Sequence, residues 1–188
     1  MECLKILYLD GSGIREVPSS IEHLTKPDEL SLYKCKNLRD VPDGIYKLQQ
    51  LQKLWTGTFK WRPTWDSFDS SSRYGFEKMA HLSIVSYESI VELDLLMKPG
   101  YFAALGSINL CGNNIVTTPG SISRFGRLES LAILDCNLLR VFQGIPQSIT
   151  QVDAENCMLL DTQSPSGLLS QVSLFLEDIY RNNFCYFL

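Results

Sequence analysis

Leucine, isoleucine and valine return along this chain at fixed offsets, and few folds can use such a pattern. LKILYLDGSGIREVPSSIEHLTK starts at Leu4, and PDELSLYKCKNLRDVPDGIYKLQQ starts at Pro27. Laid under each other, Leu7 and Leu9 match Leu30 and Leu32. Ile14, Val17, Pro18, Ile21 and Leu24 match Leu38, Val41, Pro42, Ile45 and Leu48, one position further along the second stretch. A third register starts at Leu105, with Ile108, Leu110, Ile115, Pro119, Ile122 and Phe125 in the same slots. A fourth starts at Leu128, with Leu131, Ile133, Leu139, Phe142 and Ile145, and SITQVDAENCMLL begins a fifth with Ile149, Val152, Ala154 and Leu160. The common frame is Leu-x-x-Leu-x-Leu, a polar slot, then Leu-x-x-Val-Pro-x-x-Ile-x-x-Leu.

That frame is the leucine-rich repeat, and its period lies within the ~20–29 residues of the class. Leu-x-Leu alternation has the period of a strand with one face buried. The Ile-x-x-Val-Pro-x-x-Ile-x-x-Leu stretch suits an irregular or short helical return. One repeat cannot bury its leucines alone, so neighbours must stack and share a core. The expected fold is an α/β solenoid, a horseshoe with a parallel sheet on its concave face and short helical turns on its convex side.

Composition removes other classes. The chain has 188 residues, 45% apolar and 20% charged, which excludes bulk disorder. Net charge is −4, and Lys and Arg number 12 against 11 acids up to Lys78, then 5 against 10. No basic half exists to neutralise phosphates, so nucleic acid is not the expected partner. No apolar run reaches about 18 residues, and the N-terminus does not read as a secretory signal. The six cysteines include no CxxC pair, and no Asn-x-Ser/Thr sequon occurs. A reducing compartment is expected.

The third residue after the second strand leucine is polar in every clear repeat: Ser12, Cys35, Asn113, Cys136 and Cys157. That slot is expected to donate to backbone carbonyls of the adjacent turn and form a structural ladder. The alternative for the cysteines, a redox or metal site, needs clustering that a spacing of one repeat does not offer.

The frame breaks after Leu51-x-x-Leu54. The segment 55–79 holds all three tryptophans, three phenylalanines and a serine run. It reads as a non-repeat loop, in which Trp61 and Trp65 either anchor a partner or fold back over the solenoid edge. In the next stretch, Leu82/Ile84 and Leu93/Leu95 both look like strand starts. The span from Leu95 to Leu110 falls short of the ~20-residue minimum of this repeat class. Either a repeat is shortened there, or one of the two is not a strand. After Leu160 the frame ends, and Leu168, Val172, Phe175, Leu176 and Ile179 have helical spacing. The organisation is thus repeats over 1–54, a loop over 55–79, repeats over 80–163 and a C-terminal capping helix with tail over 164–188. Met1 lies just ahead of a strand, so the chain reads as a fragment or truncated form of something longer.

The phrases LYLDGSGIREVPSSIEHL, LSLYKCKNLRDVPDGIYKL, INLCGNNIVTTPGSISRFGRLESLAILDC and IPQSITQVDAENCMLL carry a resemblance. They resemble the leucine-rich repeat region of plant TIR-type nucleotide-binding leucine-rich repeat disease resistance proteins. The resemblance covers roughly 1–166. No GxxxxGK phosphate loop and no TIR domain occur here, and the tail after Gln171 departs from the family's post-repeat domain. The resemblance implies the sensor part: effector recognition and restraint of a switch domain, in plant innate immunity. The implied partner is a pathogen effector, a guarded host protein or the receptor's own nucleotide-binding domain. The implied location is the cytoplasm and also the nucleus. The competing readings are a general intracellular scaffold, a ubiquitin-ligase substrate adaptor, or a degenerate fragment without its own activity. An extracellular receptor fits less well, because the Gly-x-Ile-Pro turn of plant extracellular repeats is absent.

Residues flanking the strand leucines should face the concave side. The candidate protein-binding residues are Tyr8, Asp10, Ser31, Tyr33, Trp55, Asn109, Leu134, Asp153 and Glu155. Tyr8, Tyr33 and Trp55 are expected to share equivalent slots and form an aromatic stripe. The alternative is that such rings only stiffen the sheet. His23 and His81, the only histidines, have no nucleophile or carboxylate pair around them, and no GxSxG or HExxH occurs. No catalysis, cofactor or metal is expected.

Overall fold

A computed structural model describes residues 3–57, 75–85, 94, 99–141 and 143–160. Seven strands form one sheet in chain order: β1 (Ile6–Tyr8), β2 (Glu29–Ser31), β3 (Lys53–Thr56), β4 (His81–Ile84), β5 (Ser107–Asn109), β6 (Ser130–Ala132) and β7 (Gln151–Asp153). All neighbours are parallel, and the central apolar residues stay in register: Leu7, Leu30, Leu54, Leu82, Ile108, Leu131 and Val152. This is the sheet of a repeat solenoid, in which each crossover returns the chain to the next parallel strand.

The Pro-x-x-Ile phrase explains the return. Pro18, Pro42 and Pro119 precede the 3-10 turns Ser19–His23, Asp43–Lys47 and Gly120–Arg124, with φ of −64°, −70° and −56°. Those values are what the pyrrolidine ring imposes. Each turn closes when the isoleucine N–H donates to the proline carbonyl: Ile21 to Pro18 at 3.0 Å, Ile45 to Pro42 at 3.0 Å and Ile122 to Pro119 at 3.1 Å. Ile149 does the same to Pro146 at 3.2 Å. The turns abut tightly. A Cβ at Gly44 would lie 2.9 Å from Glu22 Cβ, so only glycine fits without a shift.

The turn after each strand is also periodic. Gly11, Lys34, Gly112, Asp135 and Asn156 have φ of 64°, 56°, 71°, 59° and 59°. Each stands immediately before a ladder slot. The left-handed turn favours glycine, with Asn and Asp tolerated and lysine strained.

The core is the shared stack of frame residues. Phe76, Met79, Leu82 and Ile84 are buried in the slots that Leu48, Leu51, Leu54 and Thr56 fill one repeat earlier. Rings also run through it: Tyr46 to Phe76 at 5.2 Å between centroids, Phe76 to Phe102 at 5.5 Å and Phe102 to Phe125 at 6.3 Å. Two boundaries therefore shift from expectation. Trp55 and Thr56 belong to β3, and the frame resumes by Phe76, inside the stretch read as a loop. It is disguised because phenylalanine and methionine stand in for leucine. Of the two candidate strand starts in the next stretch, Leu82/Ile84 lies in β4, which pairs directly with β5, while Leu93/Leu95 falls outside the described residues.

Trp61, Trp65, Phe142 and the capping helix expected in 164–188 lie outside the described residues. Among the described residues no helix is long and apolar enough to cross a membrane.

Candidate functional site on the strand face

Alternation turns two residues of each strand away from the core, and the register sorts them into rows across the sheet. One row reads Ile6, Glu29, Lys53, His81, Ser107, Ser130, Gln151. The other reads Tyr8, Ser31, Trp55, Ser83, Asn109, Ala132, Asp153.

This register corrects the expected stripe. Tyr33 is not equivalent to Tyr8 and Trp55, because Ser31 takes that place. Tyr33 belongs with Asp10, whose carboxylate accepts its backbone N–H at 3.0 Å. The extended stretch continues past the strand, so Tyr33 also alternates outward, one step too far along. The Lys34 ammonium lies 4.9 Å from its ring centroid.

Tyr8 and Trp55 nevertheless meet. Strands two apart are about 9.6 Å apart, twice the usual spacing. Ser31 between them is small, so the rings close over it at 6.1 Å between centroids and 85° between planes. Ser31 is thereby buried at 4% exposure, against the expectation that it faces a partner, and its hydroxyl donates to Asp10. Trp55 also packs against His81, 5.7 Å between centroids. The strand residue His81 was not among the expected binding residues. The usable signal was its place directly before Leu82, the slot Lys53 holds before Leu54.

Charge ties this patch together. The Tyr8 hydroxyl donates to one Glu29 oxygen, and Lys53 Nζ reaches the other at 2.9 Å. The hydrogen bond to Glu29 pushes the Tyr8 phenol up. The Tyr8 hydroxyl, then Lys53, hold the Glu29 carboxyl down. Burial, then the Lys53 charge, push the His81 imidazole down, and its Nδ1 lies 3.2 Å from Ser107 Oγ. Ile6 and Tyr8 are about half exposed, at 51% and 54%.

The other expected residues sit on a quieter surface. Asn109 Oδ1 accepts the Cys111 N–H at 2.8 Å, and Asp153 accepts from Gln151 at 3.0 Å. Leu134 and Glu155 are half-buried in the turns beyond β6 and β7. They are not brought together with Tyr8 and Trp55.

The polar slots lie beneath the turns. Cys35 Sγ donates to the Leu9 carbonyl at 3.0 Å, Cys136 to Leu110 at 3.2 Å and Cys157 to Ile133 at 3.0 Å. Asn113 Nδ2 donates to the Ile84 carbonyl at 2.7 Å, and Ser12 Oγ lies 3.5 Å from Cys35 Sγ. The three thiols and the Asn113 amide each reach a carbonyl of the preceding repeat, so they satisfy buried acceptors that the turns leave open.

No family model matches the chain. Among curated proteins it is similar to disease resistance-like protein DSC1 of Arabidopsis thaliana, 24% identical over 86% of this chain. It is similar also to TMV resistance protein N of Nicotiana glutinosa, 25% identical over 82%, and to disease resistance protein RPS4B of Arabidopsis thaliana, 23% identical over 97%. The chain spans 17%, 17% and 14% of the lengths of these curated relatives. Over most of its length, at about 24% identity, the chain is thus similar to TIR-type nucleotide-binding leucine-rich repeat disease resistance proteins of plants.

Proposed function

We propose that this chain is a non-catalytic protein-recognition module of plant innate immunity, in which the strand face senses a pathogen effector or guarded host protein. The same face, or its neighbours, restrains a receptor's nucleotide-binding domain. The observation that carries the reading is the cluster of Tyr8, Trp55 and His81 beside the Glu29–Lys53 ion pair. Aromatic rings with a polar rim are the usual anchors of protein interfaces. In this reading the sheet curves into a horseshoe, a helix within 164–188 covers the last repeat, and the module works in the cytoplasm and nucleus.

Proximity labelling in leaf tissue tests this, with the chain fused to a labelling enzyme and compared with its Tyr8→Ala/Trp55→Ala form. Partner recovery should drop at least tenfold at equal expression, matching a truncation cost of about 1–2 kcal/mol or more. An unchanged partner set would sink the proposal.

A further inference from the structure

Against the expectation that one-repeat spacing keeps the cysteines from clustering, the parallel register brings two of them, among the described residues, onto consecutive rungs. Leu131 pairs with Val152, and Cys136 and Cys157 stand at the same offset beyond them. The register persists to the cysteines' immediate neighbours. Asp135 N–H donates to the Glu155 carbonyl at 2.9 Å, and Asn156 Nδ2 donates to Asp135 Oδ1 at 2.8 Å. Asp135 and Asn156 share the same φ of 59°, so the chain enters both cysteines in the same conformation. Adjacent strands lie about 4.8 Å apart, inside the roughly 4.4–6.8 Å span of Cα atoms that a disulfide bridges. The other rungs offer no such pair: Cys35 faces Ser12, and Cys136 faces Asn113 on its far side.

We propose that Cys136 and Cys157 form a reversible thiol-oxidation site, taking hydrogen peroxide as oxidant and closing a disulfide between the last two described repeats. The two thiols divide the labour. Cys157 is half-buried and reachable, while Cys136 is fully buried. The hydrogen bond with Cys136 lowers the Cys157 thiol and raises the Cys136 thiol, so Cys157 is the first of the two to ionise and attack. Cys111, pushed up to about 11 by burial, stays protonated.

The chemistry balances in two steps. The Cys157 thiolate attacks peroxide, an S–O bond forms, the O–O bond breaks, and hydroxide leaves to take up a proton. Cys136 then attacks the sulfenic sulfur, the S–S bond forms, and its thiol proton leaves with the sulfenic hydroxyl as a second water. Two thiols supply the two electrons that reduce one peroxide to two waters. The bond replaces the two thiol-to-carbonyl hydrogen bonds, on Leu110 and Ile133. A small thiol reductant reverses it.

Mass spectrometry of the intact 188-residue chain tests the site. Reduced protein is treated with excess hydrogen peroxide, free thiols are alkylated, and the product is digested with trypsin. Cleavage after Arg127, Arg140 and Arg181 isolates Cys136 in LESLAILDCNLLR and Cys157 in the peptide that follows. The expected product is those two peptides joined, lighter than their sum by two hydrogens and separated again by dithiothreitol. Cys136→Ser should instead let Cys157 run on to the sulfinic acid. Sulfinic acid at Cys157 with Cys136 still alkylated in the unsubstituted chain would overturn the proposal. So would a link from Cys157 to the Cys111 peptide.

Discussion

The first three strands and the last three share a backbone and differ on the side turned away from the core. β1 to β3 present Tyr8, Ser31 and Trp55 in one row, with Ile6, Glu29 and Lys53 beside them. β5 to β7 present Asn109, Ala132 and Asp153, with Ser107, Ser130 and Gln151. The core side differs too. Leu7, Leu9, Ile14 and Leu24 are only partly buried, whereas Leu30, Leu32, Leu38 and Leu48 are enclosed. A repeat flanked on both sides is sealed by its neighbours, while the first described one is sealed on a single side. Core burial thus follows position in the stack, and surface chemistry follows residue choice alone.

The largest expected effect separates those two sides. Leu131→Ala, in the sealed part, should destabilise the chain by about 2–5 kcal/mol. Leu7→Ala, at the half-open end, should cost about half as much, because less area returns to water. Equal costs in urea melts would break the comparison. Gly44→Ala comes next. Its methyl would press on Glu22 Cβ and the Ser19 carbonyl, for a loss of about 1–3 kcal/mol. A smaller gain is expected from Lys34→Gly, which relieves the left-handed turn by about 1 kcal/mol and should raise the melting midpoint.

The smallest effect is a pH slope. His81 is held below its ordinary value of 6.5, so the unfolded chain takes up a proton before the folded one does. Stability should be level above pH 6.5 on this account and fall as pH drops below it. His81→Gln should flatten that slope in chemical melts, and an unaltered slope would show that the patch does not bury the imidazole. Glu29, held below 4.5 by Tyr8 and Lys53, adds stability above that value that is lost at lower pH.

The strand leucines and the Pro-x-x-Ile turns were legible because each slot has one physical task. A strand leucine must face inward, and a proline before the 3-10 turn needs no N–H. Phe76 and Met79 escaped because the core accepts any large apolar side chain, so leucine spacing alone understates the frame. Tyr33 was misplaced because the turn follows a very short strand, and alternation continues past the last pairing. The contact between Tyr8 and Trp55 was not legible at all. It depends on Ser31 being small enough to let two rings close over it, a property of three strands together.

Register is kept across the sheet although spacing is not. The crossover that carries the chain from Lys53 to its partner His81 is longer than the one from Ile6 to Glu29, and the one from Ser130 to Gln151 is shorter than either. Stretched between its ends, such a stack would yield length in packets, one crossover at a time. Each packet would be about 7–10 nm at the reach of an extended chain. The longest would come from the crossover between β3 and β4, so a force trace would read out the uneven spacing as uneven steps.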